Sequence, residues 1–133
     1  MAESKRKGDV GEAMVLADVL RQGHKVALPV GEDWRYDLIV LRHGKLERVQ
    51  CKYVESDGLV IEVPGRSSNS HSTRLYTSDE IDCLAVYDKT TESCYYIPSS
   101  EIGSGKSLFS LRLVPSSNGQ VKRVRWAKDY KSW

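Results

Sequence analysis

Two strand-like runs, Arg35 to Arg42 and Glu47 to Val54, meet at His43-Gly44 and restrict the fold of this chain more than any other feature. Two-residue connections between antiparallel strands use turns with positive φ at both central positions, which glycine tolerates at no steric cost. A turn at His43-Gly44 pairs Arg42 with Lys45 and sets Asp37 opposite Gln50. Alternate residues of a strand share a face, so Gln50 and Lys52 project on the side that carries Asp37. A turn at Gly44-Lys45 instead sets Asp37 opposite Lys52, and all three still lie on one face. Cys51 points to the other face, toward a core.

A carboxylate, an amide and an ammonium are costly inside a pair of strands rich in Val, Leu and Ile. An unpaired buried charge loses several kcal/mol of hydration (roughly) unless it is paired or bound to a metal. The plain structural account is a cross-strand ion pair between Asp37 and Lys52 at a sheet edge. Asp9 and Glu12 weigh against it: three apart on the first helix, they share a face and can complete an oxygen-rich site for a hard divalent ion. Dipole stabilisation at a helix N-terminus explains Asp9 well and Glu12 less well.

The rest of the chain is arranged around this hairpin. Val10, Ala13, Met14, Ala17 and Leu20 recur at helical spacing, predicting an amphipathic helix over Asp9–Gln22 that stops at Gly23. Further strands are predicted over His24–Pro29, Leu59–Val63, Cys83–Tyr87, Ser93–Ile97 and Leu108–Val114. Thr77 or Ser78 caps a short helix through Asp79–Asp82, Ser99-Ser100-Glu101 starts a further helical turn, and Asn118-Gly119 turns the chain toward Val121–Trp126. Gly65 to Thr73 is polar and aperiodic and reads as a loop. A length of 133 residues predicts one domain over 1–133, and 40% hydrophobic with 29% charged residues excludes disorder throughout. No apolar run is long enough for a membrane span and the first residues are charged, so the expectation is a cytoplasmic protein with no membrane partner. The three cysteines, Cys51, Cys83 and Cys94, lack metal or disulfide spacing and read as reduced, buried thiols.

Gly8-Asp9-x-Gly11-Glu12 on the opening helix, then Tyr36-Asp37, then Gln50-Cys51-Lys52, resembles the PD-(D/E)xK nuclease superfamily in its variant with Gln in place of the second acid. Ile81 to Tyr87, Cys94 to Pro98, Leu111 to Leu113 and Arg125 to Tyr130 extend the similarity over nearly the whole chain. It is closest to the intron-encoded homing endonucleases of the superfamily. The resemblance implies an α/β (mixed α+β) fold: a restriction-endonuclease-like central mixed sheet with an N-terminal helix packed on it. It also implies a metal-dependent endonuclease that hydrolyses phosphodiester bonds in double-stranded DNA. Asp37 would be the central ligand for Mg²⁺, with Mn²⁺ able to substitute, and Glu12 would reach the same ion directly or through water. Gln50 would supply a neutral carbonyl ligand or orient a water, and Lys52 would position the attacking water and offset charge on the phosphate.

A net charge of only +2 does not announce a DNA binder, so the distribution of charge matters more than its sum. Arg66, Asn69, His71 and Arg74 in the polar segment, with Lys5 and Lys7 before the helix, are the candidate DNA contacts. A second basic cluster runs from Lys122 to Lys131 with Trp126, Tyr130 and Trp133 interleaved, and the two clusters form one basic surface if the fold brings both ends together. One small domain presents one site, so cutting both strands calls for a homo-oligomer, a dimer or tetramer, bound to DNA at the nucleoid. The competing functions are a structure-selective Holliday junction resolvase and a DNA-binding module of the same fold without chemistry.

Overall fold

A computed structural model of the chain describes residues 2–64, 66–68, 73–75, 80–102, 108–119 and 124–133. Helix α1 spans Ala2–Arg21 and starts seven residues earlier than its apolar spacing predicts. That extra length is Glu-, Lys- and Arg-rich, good helix-forming sequence with no apolar pattern to reveal it. At the other end Gly23, at φ 91°, closes the helix. Its N–H donates to Leu20 O, and that of His24 to Val19 O, the paired bonds of a Schellman cap.

Five strands form the central sheet: β1 (Lys25–Ala27), β2 (Leu38–Arg42), β3 (Lys45–Val54), β7 (Cys83–Asp88) and β8 (Ser93–Pro98), in the order β1-β2-β3-β7-β8. Only β3 and β7 run parallel, so the sheet is mixed. The hairpin has the predicted register: Arg42 pairs with Lys45 and Leu38 with Val49. Positive φ at both His43 and Gly44 makes the turn between them. Strand β7 is buried along its whole length because both faces of the sheet are covered there.

Helix α1 covers one face, where Val15 and Val19 meet Leu38, Val40, Val49, Cys51, Ala85 and Tyr96. The opposite face is covered by a two-stranded ribbon, β4 (Val60–Pro64) with β9 (Leu108–Arg112), whose Ile61, Val63, Phe109 and Leu111 meet Leu84, Val86, Tyr95 and Ile97. The helix buries a different side from the one its spacing predicts. Gly11, Val15 and Val19 are buried, whereas Ala13, Met14, Ala17 and Leu20 are exposed. The apolar residues lie on two sides of the helix, and the weaker-looking stripe won because glycine allows close approach there.

Three further expectations change. The polar segment after Pro64 is no aperiodic loop: β5 (Arg66–Ser68) and β6 (Thr73–Leu75) pair antiparallel, Arg66 with Leu75 and Ser68 with Thr73. Its strands are only three residues each, too short for an alternating pattern to stand out in the sequence. No helix forms over residues 80–82, where Asp82 N–H donates to Arg48 O at 2.8 Å, while residues 77–79 lie outside the described set. Finally, the described end of the second basic cluster lies away from the first, while Lys122 and Arg123 fall outside the described residues. Gln22 Nε2 donates to Lys131 O, and its Oε1 accepts from Trp133 N–H, so the end of the chain docks at the C-terminal end of α1. Lys5 and Lys7 lie some fifteen residues earlier, about 22 Å away along the helix.

Candidate active site

Strand β2 begins at Leu38, whereas β3 continues five residues past the partner of Leu38, to Val54. Beyond that point, among the described residues, one edge of β3 has no strand paired with it. Asp37 takes over: its N–H donates to Val49 O at 2.8 Å and its Oδ2 accepts from Cys51 N–H at 2.9 Å. The carboxylate is thereby anchored to the segment that carries Gln50 and Lys52. Gln50 Nε2 in turn donates to the Cys51 carbonyl at 3.4 Å.

Helix α1 brings the fourth group. Gly11 is buried against β3, and Glu12, the next residue, stands close enough to Asp37 for the two charges to act on each other. Burial first, then the Asp37 and Asp9 carboxylates, push the Glu12 carboxyl above its ordinary value, with Lys5 pulling the other way. The Asp37 carboxyl is also raised. Burial is the main cause, and the Cys51 N–H and Lys52 oppose it without cancelling it. The structure therefore gathers Glu12, Asp37, Gln50 and Lys52, all four residues singled out from sequence, at one open edge of β3. Its two acids are held together at an electrostatic cost.

Among the described residues, no group of three His, Cys, Asp or Glu side chains is placed to hold a metal. The donor set here is two carboxylates and one amide, all hard oxygen ligands, and a divalent cation would offset the burial that raises both acids and the acidic neighbours that raise Glu12 further. These residues fit a hard ion that keeps several of its own waters.

The other sequence candidates divide. Lys5 is exposed beside Asp9, 3.9 Å away, at the end of the helix nearest the site. Lys7 is committed elsewhere: its Nζ lies 3.2 Å from Glu55 Oε2 and 5.9 Å from the centre of the Tyr53 ring. Arg66 and Arg74 sit on β5 and β6, and Asn69 and His71 lie outside the described residues. In the second basic cluster Arg125 stacks on Phe109 at 4.3 Å and faces Glu101 at 3.8 Å. Cys51, Cys83 and Cys94 are free and buried, and burial pushes their thiols up, so they pack rather than react. Sequence reasoning missed the link of Tyr53 to Glu55, whose Oε2 accepts from the tyrosine hydroxyl at 2.7 Å. The alternation of β3 was its only available signal.

A mixed sheet, a helix laid across one face and an acid pair beside a lysine at a strand edge define a nuclease architecture. Residues 2–133 match the PD-(D/E)XK endonuclease family, and the chain belongs to that family. Among solved structures it is similar to a bacterial homing endonuclease, I-Ssp6803I, with 25% sequence identity and a TM-score of 0.67 over 96% of this chain and 87% of that one. No curated protein matches the chain.

Proposed function

We propose that this endonuclease cuts double-stranded DNA at a specific sequence, in the manner of a homing enzyme, and depends on a divalent cation, Mg²⁺ with Mn²⁺ able to replace it. The observation that carries the reading is the acid pair Asp37 and Glu12, both raised by burial and Glu12 further by the Asp37 charge, beside Lys52 where β3 extends past β2. Asp37 and Glu12 would hold the ion. Gln50, whose Nε2 is turned to the Cys51 carbonyl, would offer its Oε1. Bound there, the cation supplies Lewis-acid polarisation of the scissile phosphate and a nucleophilic water at neutral pH. Lys52 would orient the attacking water and offset charge that develops on the phosphate oxygens. The Cys51 N–H keeps one Asp37 oxygen fixed, so the other is aimed without any loss of side-chain freedom at the moment of reaction.

Sequence specificity rests on the likeness to a homing endonuclease. A homo-oligomer, dimer or tetramer, follows from the need to cut two strands with one site per chain. The uncovered apolar stripe of α1, including Met14 at 37% and Leu20 at 52% exposure, supports a partner subunit. The test is cleavage of duplex carrying the flanks of an intron insertion site, a random duplex and a four-way junction, each with Mg²⁺ and with excess EDTA. Cutting of the insertion-site duplex alone, abolished by EDTA and by Asp37→Asn, is the expected result. Cleavage that survives EDTA, or a folded Asp37→Asn enzyme that cuts normally, overturns the site. Preference for the junction assigns the protein to resolvases instead.

A further inference from the structure

Helix α1 contains two interior glycines, Gly8 and Gly11, and glycine in a helix interior is destabilising relative to alanine. Their surroundings differ completely. A Cβ at Gly8 would meet nothing within 4 Å, whereas a Cβ at Gly11 would lie 3.1 Å from Tyr53 Cβ and 3.3 Å from Lys52 O. Gly11 is therefore where the backbones of α1 and β3 touch, and they touch between the residues that bear Glu12 on one element and Lys52 on the other. One turn earlier, on the same side of the helix, Lys7 reaches Glu55, which also holds the Tyr53 hydroxyl. Helix and strand are thus fixed at two successive turns.

We propose that Gly11 is a positioning residue of the active site: the missing side chain sets the height of α1 over β3 and so the reach of Glu12 toward Asp37. The inference rests on the endonuclease reading for its kinetic test and is independent of it for its thermal one. A methyl group at position 11 lifts the helix by tenths of an ångström at the point where Glu12 leaves it. Positioning errors of about 0.5 Å are enough to degrade a preorganised site.

The experiment is a double-mutant cycle between Gly11→Ala and Glu12→Gln, with Gly8→Ala as control. Gly11→Ala lowers kcat about tenfold with KM for DNA unchanged, and lowers it no further when Glu12→Gln is already present. Gly8→Ala raises the melting temperature and leaves cleavage as it was. Should Gly11→Ala not fold, Glu55→Gln, which frees Lys7, carries the same cycle with a loss of about threefold. Losses that multiply across the Gly11 and Glu12 changes, or a folded Gly11→Ala enzyme with unaltered kcat, overturn the proposal. A wild-type protein that cuts no DNA with any divalent ion defeats the endonuclease reading, and the thermal cycle still decides this one. Glu12→Gln relieves repulsion by Asp37 and so raises the melting temperature of the wild type more than that of Gly11→Ala. Equal increments in the two backgrounds overturn it.

Discussion

Two aspartates do the same backbone task on opposite edges of β3, and their electrostatic outcomes are opposite. On one edge, ahead of the point where β7 begins, Asp82 Oδ2 accepts from Arg48 N–H at 2.8 Å. On the other edge, past the end of β2, Asp37 Oδ2 accepts from Cys51 N–H at 2.9 Å. Asp82 also binds the Arg48 guanidinium, with Nε at 3.0 Å, and that bond holds its carboxyl below the usual range in spite of partial burial. Asp37 is buried against a second acid, and Lys52 leaves its carboxyl raised. A carboxylate matched by its own arginine is spent on structure. One held at a cost beside another acid is poised to take a cation or a proton, which is how perturbed groups mark reactive sites.

Breaking this contrast at its reactive end gives the largest effect. Asp37→Asn lowers kcat/KM for duplex cleavage by roughly 10³-fold or more, the scale of losing a preorganised charge at the reacting centre. The same variant melts at a higher temperature than the wild type, because the amide keeps an acceptor for Cys51 N–H and removes a buried charge. A lowered melting temperature would place Asp37 with Asp82 as a structural residue. Lys52→Ala follows at roughly 10²-fold in kcat, with DNA affinity in the absence of cleavage nearly unchanged. Parallel loss of affinity and rate would make Lys52 a phosphate contact only.

A third aspartate sharpens the structural side. Asp88, at the end of β7, is fully buried, and its carboxylate accepts from the Ser56 N–H and hydroxyl, the Thr90 N–H, and the Thr91 N–H and hydroxyl. Burial alone would raise its carboxyl, and these donors outweigh it and hold it below the usual range. Asp88→Ala strands several donors around a small cavity and costs roughly 3 kcal/mol of unfolding free energy. Measured by urea titration, that loss comes with normal kcat for the folded fraction.

The hairpin was legible because alternation and turn chemistry act within twenty residues: His43-Gly44 set the register, and the register set Asp37 beside Gln50 and Lys52. Glu12 was found through resemblance and helix spacing, and its neighbour Gly11 was read only as part of that motif, not as a close contact, although an interior helix glycine is itself a signal. The buried side of α1 was misread because Ala13, Met14, Ala17 and Leu20 mark the other side with apolar side chains, while Gly11 supplies none to mark the side on which Val15 and Val19 pack. The Asp88–Ser56, Asp82–Arg48 and Lys7–Glu55 contacts were invisible to local patterns, since in each the partner lies more than thirty residues away. The ribbon of β5 and β6 escaped because each strand is only three residues long, too short to show alternation.

The smallest expected effect tests the paired aspartate itself. Asp82→Asn removes a partly exposed ion pair and costs about 1 kcal/mol at pH 7, without changing kcat. Because the folded carboxyl lies below its unfolded value, its contribution is complete above about pH 4 and fades as pH falls through the lower, folded value. The gap between wild type and Asp82→Asn in urea unfolding is therefore widest at neutral pH and closes in acid. A gap of constant size from pH 7 down to pH 2 would show that the Arg48 charge contributes nothing, and that Asp82 serves only as the neutral acceptor for a strand edge.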